Sequence, residues 1–217
     1  MPSSAEIMRT TQGWLRFRWP TFEIRELAIL LLLVQFIANA ELFAIAAGPR
    51  GFAAACAGLA LVIYGGAACG HQSAVRKTVG WISSPWRYWL GTVVIGFVLG
   101  ALVTTVTIAS GRSTQIVEPV YNQILAVTLG PIVEEICLRG IMVSLLVRVM
   151  GGPGAVIATS VLFALMHWPA SLLKLVCIGA TGAVYGWIRV RSGSTALATL
   201  AHATHNFTVL VLGSVRA

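Results

Sequence analysis

The sequence predicts an all-α, polytopic transmembrane helix bundle of about seven spans, with a polar site set inside the membrane. Three observations carry that expectation. Hydrophobic residues make up 57% of the 217 and charged residues only 10%, whereas soluble domains carry about a quarter charged; mean hydropathy is +0.85. Apolar runs close to bilayer length recur along the chain. The later runs enclose ionisable side chains, as in PIVEEICLRG (131–140).

The spans are expected at about 26–47, 52–69, 88–110, 119–148, 153–168, 171–189 and 194–213, each near the length that crosses a bilayer. Residues 1–25 precede them. There TQGWLRFRWP interleaves aromatic and arginine side chains, a pattern suited to the membrane surface. No apolar run precedes Leu27, so a cleavable signal peptide is not expected. Residues 26–217 then form one transmembrane domain. Arg87 lies within Trp86–Tyr88–Trp89, an interfacial anchor at the start of the third span. The fourth run is too long for one straight crossing, and Gly130–Pro131 offers it a break.

A net charge of +8 suggests nucleic acid as a partner, but the basic residues fall between apolar runs instead of building one face. They act as orientation signals. Arg9, Arg16, Arg18, Arg25, Arg76, Lys77, Arg87, Arg148, Arg189 and Arg191 share one side if the N-terminus is cytoplasmic; Arg50, Arg112, Lys174 and Arg216 take the other. The expected location is a prokaryotic inner membrane. Cys56, Cys69, Cys137 and Cys177 stand singly in apolar stretches and read as small buried hydrophobes. Gly66–Gly70, Gly96–Gly100 and Gly182–Gly186 are small-residue pairs at the spacing of close helix packing, expected within the chain and not between copies.

The polar residues deep in the late spans are few: Glu134, Glu135, Arg139, His167, His202, His205 and Asn206. A charge at the centre of a membrane helix costs about 2.5–3.5 kcal/mol on insertion scales, so such groups mark function by default. With about 1.5 Å of rise per residue, Glu134 lies about 21 Å from Arg148, and His167 about 21 Å from Pro153. His202 and Asn206 lie about 12 and 18 Å from Ser194. Three helices therefore bring these groups to similar depth.

Glu135 and Arg139 are one turn apart and can pair as a brace. Glu134 points elsewhere and is free to act as a general base on a water, with His167 beside it. His202 and Asn206, also one turn apart, present donors suited to a developing oxyanion. His205 reads as a packing or supporting residue. Asn39 and Glu41 lie near the outer end of the first span and read as structural.

EEICLRG fits EExxxR, FALMH fits FxxxH and HATHN fits HxxxN, in that order on successive late helices. Together these motifs resemble the CAAX-protease and bacteriocin-processing (CPBP, or Abi) family of intramembrane endopeptidases, over about residues 118–213. The resemblance implies a catalytic Glu134 with Glu135 and Arg139 completing its motif, His167 from the second, and His202 and Asn206 from the third. It implies peptide-bond hydrolysis by a glutamate- and histidine-activated water, with a His/Asn oxyanion hole. The implied substrate is a hydrophobic or lipid-anchored peptide within membrane lipid.

No cofactor is expected. The alternative is a zinc-dependent protease with Glu134, His167 and His202 as ligands, although HExxH is absent. A proton- or cation-coupled transporter is the other alternative, and it predicts paired broken helices in both halves. Polar motifs occupy only the C-terminal half. A non-catalytic, partner-binding membrane protein is a third.

Overall fold

The computed structural model describes residues 79–80, 84–111, 120–167 and 171–214. The N-terminal interfacial segment, the first two expected spans and the Gly66–Gly70 pair lie outside them. Among the described residues the fold is all-helical. Its elements are α1 (Trp86–Ala109), α2 (Val120–Val127), α3 (Leu129–Glu135), a π-helical stretch (Ile136–Met142), α4 (Val143–Met166), α5 (Leu172–Ser192) and α6 (Thr195–Ser214). Three described helical runs are long and apolar enough to cross a membrane: Trp86–Ala109, Leu129–Met166 and Leu172–Ser192. The polar side chains of α6 leave it outside that set. The protein is thus an integral membrane protein of helical spans.

The run Leu129–Met166 contains a reversal. Gly151 adopts φ 72, ψ 174, a conformation open to glycine and strained for other residues. Arg139 and Phe163, equidistant in sequence from Gly151, touch: the guanidinium lies 4.7 Å from the ring centroid. Residues 129–150 and 152–166 therefore form an antiparallel hairpin, which matches the boundary expected between the fourth and fifth spans.

The expected break at Gly130–Pro131 falls slightly earlier. Thr128, with φ −120 and ψ −87, interrupts the helix, and Pro131 sits in the first turn of α3. Proline has no N–H to give and its ring crowds the carbonyl four residues back, so the disruption falls N-terminal to it.

α1 is built with its small side chains inward. Thr92, Gly96, Gly100 and Thr104, four residues apart, are buried, while Leu90, Val94, Phe97, Val98 and Leu102 are exposed where lipid would lie. The threonine hydroxyls bond to carbonyls one turn back, Thr92 to Tyr88 at 2.6 Å and Thr104 to Gly100 at 2.8 Å. No polar group of the stripe is left bare.

The glycines let α1 close on α6. A Cβ on Gly96 would stand 2.4 Å from the Ala201 carbonyl oxygen, and one on Gly100 would stand 2.7 Å from that of His205. The close-packing role expected for this pair is therefore intramolecular. Gly96→Ala is expected to destabilise the purified protein by about 1–3 kcal/mol through overpacking. Gly91→Ala, where nothing lies within 4 Å, is expected to be neutral or slightly stabilising. Thermal unfolding in detergent compares the two, and equal behaviour would show that the contact does not hold the helices together.

The ends of α5 and α6 are signalled locally. Ser171 caps α5 through the Lys174 N–H, and Gly193 ends it in the left-handed conformation at φ 71. Ser194 Oγ accepts from the Leu197 N–H at 3.4 Å. The start of α6 is tied to residues 79–80, because the Thr195 N–H donates to the Gly80 carbonyl at 2.8 Å. Gly182 and Gly186 face α4, where a Cβ would meet Phe163 at 2.9 Å and Val156 at 3.2 Å. The second expected small-residue contact is intramolecular as well.

Candidate functional site

The π-helical stretch is the local irregularity on which the site is built. The Val143 N–H bonds back five residues to the Leu138 carbonyl, so the helix is widened where the first motif lies. Such turns are rare and concentrate at functional positions. The change of register frees main-chain carbonyls, and Arg189 of α5 takes one of them: its Nε donates to the Arg139 carbonyl at 3.1 Å and its Nη2 to Ser144 Oγ at 3.0 Å. α5 thereby holds the widened segment in place.

Glu135 and Arg139 are both fully buried. Arg139 Nη1 lies 3.3 Å from Glu135 Oε1, and Nη2 donates to the Gly182 carbonyl at 2.8 Å. The guanidinium also lies over the rings of Phe163 and Tyr185, at 4.7 and 5.7 Å from their centroids. The pairing expected from spacing is present. Aromatic faces and a backbone carbonyl complete a cation site in a low-dielectric interior.

His202 arrives from α6. Its Nδ1 is 3.0 Å from Glu135 Oε1, and its Nε2 faces Glu134 Oε2 at 4.0 Å. One imidazole thus lies between two adjacent carboxylates. Glu134 does not look into a separate environment, as its rotation from Glu135 suggests. Both glutamates address the same ring from its two nitrogens. Glu134 is partly exposed at 23%, yet its Oε2 is buried and has no hydrogen-bond partner. A separation of 4.0 Å is too long for a direct hydrogen bond and suits a bridging water. Glu135 Oε2 and Arg139 Nε and Nη1 are buried without hydrogen-bond partners too.

His167 ends α4. Its Nδ1 is 2.7 Å from the Phe163 carbonyl. A carbonyl only accepts, so Nδ1 carries the proton and Nε2 offers a lone pair in the neutral ring. Phe163 joins the two histidines: His167 packs on its ring at 4.5 Å and His202 at 5.5 Å, both edge-on. Asn206, one turn beyond His202, donates through Nδ2 to the Ala126 carbonyl of α2 at 2.8 Å. Its second amide hydrogen remains to be given.

The structure therefore brings Glu134, Glu135, Arg139 and His202 into one chain of contacts. His167 stands against it through Phe163, and Asn206 stands one turn along α6, tied to α2. Tyr185 is a member the sequence did not reveal. It is fully buried, its ring stacks on His202 at 4.7 Å with planes 18° apart, and its hydroxyl is hydrogen-bonded to His205 Nδ1. In sequence it is one aromatic in an apolar run. Among the described residues no three His, Cys, Asp or Glu side chains are gathered so as to hold a metal ion.

These features define a class first: a membrane-embedded helical protein whose acids, bases and a paired cation are collected inside the bundle, away from its lipid face. Residues 116–208 match the family model Rce1-like, described as type II CAAX prenyl endopeptidase Rce1-like. That stretch holds all three motifs, and over it the chain is similar to the CAAX-protease family. No curated protein and no solved structure matches it.

Proposed function

We propose that the protein is an intramembrane endopeptidase that hydrolyses a peptide bond of a lipid-anchored or membrane-associated substrate through a water activated by Glu134 and His167. One observation carries the reading most directly: the buried, unpartnered Glu134 Oε2 standing 4.0 Å from His202 Nε2. A buried carboxylate oxygen without a partner calls for a ligand or a water, and the imidazole assigned to the substrate carbonyl stands across the same gap.

In this scheme Glu134 accepts a proton from the water as its oxygen attacks the scissile carbonyl carbon. His167, with Nδ1 committed to the Phe163 carbonyl, accepts from the same water through Nε2 and holds its orientation. The carbonyl oxygen gains charge as the tetrahedral intermediate forms. It receives hydrogen bonds from the second amide hydrogen of Asn206 and from His202 Nε2–H, present when the ring carries both protons and gives Nδ1–H to Glu135. Collapse breaks the C–N bond, and the proton held by Glu134 passes to the leaving amine. Glu135 and Arg139 keep His202 in place and do not touch the substrate. No cofactor enters the scheme. The distribution of arginines supports an N-terminus on the cytoplasmic side of the membrane.

The test is hydrolysis of a farnesylated peptide ending in a CAAX sequence by the purified protein in proteoliposomes. Wild type is expected to cleave it. His167→Ala is expected to slow cleavage by about 10²–10⁴-fold, the range of a lost general acid–base group. A strong chelator is expected to leave the wild-type rate unchanged. Equal rates for wild type and His167→Ala would remove His167 from the scheme, and activity that zinc restores after chelation would replace it with a metal mechanism.

A further inference from the structure

Tyr185 is fully buried and carries a polar hydroxyl, yet the hydrolytic scheme gives it no task. Its surroundings suggest one. We infer that Tyr185 and His205 form a positioning pair that fixes the direction in which His202 presents Nε2, an inference that rests on the catalytic role proposed for His202.

An imidazole held only by Nδ1 to Glu135 Oε1, at 3.0 Å, can still rock about that bond and sweep Nε2 through an arc. Two aromatic contacts remove that freedom. The Tyr185 ring lies nearly parallel to His202, 18° between planes and 4.7 Å between centroids. Phe163 meets the imidazole edge-on at 87° and 5.5 Å. An aliphatic side chain of equal volume would fill the space behind the imidazole without imposing its plane.

The tyrosine ring is itself fixed through its hydroxyl, which is hydrogen-bonded to His205 Nδ1. His202 and His205 are three residues apart and occupy one face of α6. The same helix therefore supplies both the ring being aimed and the anchor of the clamp that aims it. His205 is buried, and Gly100 of α1 packs against its carbonyl, where a Cβ would stand at 2.7 Å. The anchor is held on a rigid element. Small misalignments of a reacting group are costly, and a site set by packed neighbours keeps its geometry.

The variants Tyr185→Phe, His205→Ala, His205→Gln and the double Tyr185→Phe/His205→Ala separate positioning from mere packing. They are assayed by farnesyl-peptide hydrolysis and by the ring-proton resonances of His202 in histidine-labelled protein. Tyr185→Phe is expected to lower kcat by roughly ten- to a hundredfold with KM within about twofold, as loss of alignment does. His205→Ala is expected to lose no more than that. The double variant is expected to match Tyr185→Phe, because His205 acts through the hydroxyl that is already gone. His205→Gln, whose amide can donate or accept, is expected to recover most of the rate.

The His202 resonances, shifted by the stacked ring, are expected to move in Tyr185→Phe and His205→Ala and to return in His205→Gln. An unchanged kcat in Tyr185→Phe, losses that multiply in the double variant, or unmoved His202 resonances would each overturn the pair. A wild-type protein that cleaves no peptide, while its His202 resonances respond as described, would end the hydrolytic reading and leave the positioning pair standing.

Discussion

Glu134→Gln is expected to abolish cleavage of the farnesylated peptide, by about three orders of magnitude or more in kcat, the scale of a lost general base within a water-activating pair. The same substitution is expected to leave thermal stability unchanged or slightly raised. The amide keeps the shape of the carboxylate, and Glu134 Oε2 is buried without a hydrogen-bond partner. Removing a charge from that position relieves a desolvation cost instead of breaking a bond. Functional sites commonly hold such groups against stability. Rate and unfolding temperature are measured on one preparation. A variant that retains more than a few per cent of the wild-type rate would take Glu134 out of the base role.

The second large effect concerns stability. Arg139→Met is expected to destabilise the protein by about 3–5 kcal/mol, because it leaves Glu135 buried beside no permanent cation. His202 Nδ1 also contacts Glu135 Oε1, which moves the expectation toward the lower end of that range. The double variant Glu135→Leu/Arg139→Met is expected to recover much of the loss, since replacing a buried ion pair by apolar side chains is often close to neutral. It is nevertheless expected to be inactive, having removed the group that holds His202 Nδ1. Chemical or thermal denaturation of the two variants in detergent decides this. A double variant no more stable than Arg139→Met would show that the pair is not the brace of this bundle.

How much of this was legible in the sequence differs from element to element. α1, α5 and α6 lie close to the expected third, sixth and seventh spans, because apolar runs bounded by loop charges, Ser171, Gly193 and Ser194 mark their ends. The Glu135–Arg139 pair follows from spacing alone. The shared depth of Glu134, His167 and His202 follows from helix rise, and the antiparallel hairpin about Gly151 together with the docking of α6 agrees with it. The first two expected spans fall on residues that are not described.

Other features had no signal. Nothing in ICLRGIM separates a π-helical stretch from an α-helix, and the side chain that caps its freed carbonyl, Arg189, comes from α5. The attachment of His202 to both glutamates depends on the rotation of α6 about its axis, which small inward residues such as Gly96 and Gly100 set from another helix. Tyr185 was invisible because an aromatic in an apolar helix has the same sequence appearance facing lipid, core or site. The interruption at Thr128 instead of Gly130–Pro131 shows proline acting on the turn before it.

The separation in sequence between the two sides of the candidate site has a consequence for the newborn chain. Glu134, Glu135, Arg139 and His167 belong to one hairpin about Gly151 and meet through local contacts, the kind that form early. His202 reaches Glu135 across 67 residues of sequence and lies on α6, after the hairpin in chain order. On the proposed reading, a ribosome delivers the water-activating glutamate well before the residue that steadies the oxyanion. On that reading, a chain whose hairpin has inserted but whose α6 has not yet docked would lack its oxyanion donors, and is expected to leave neighbouring hydrophobic segments uncut.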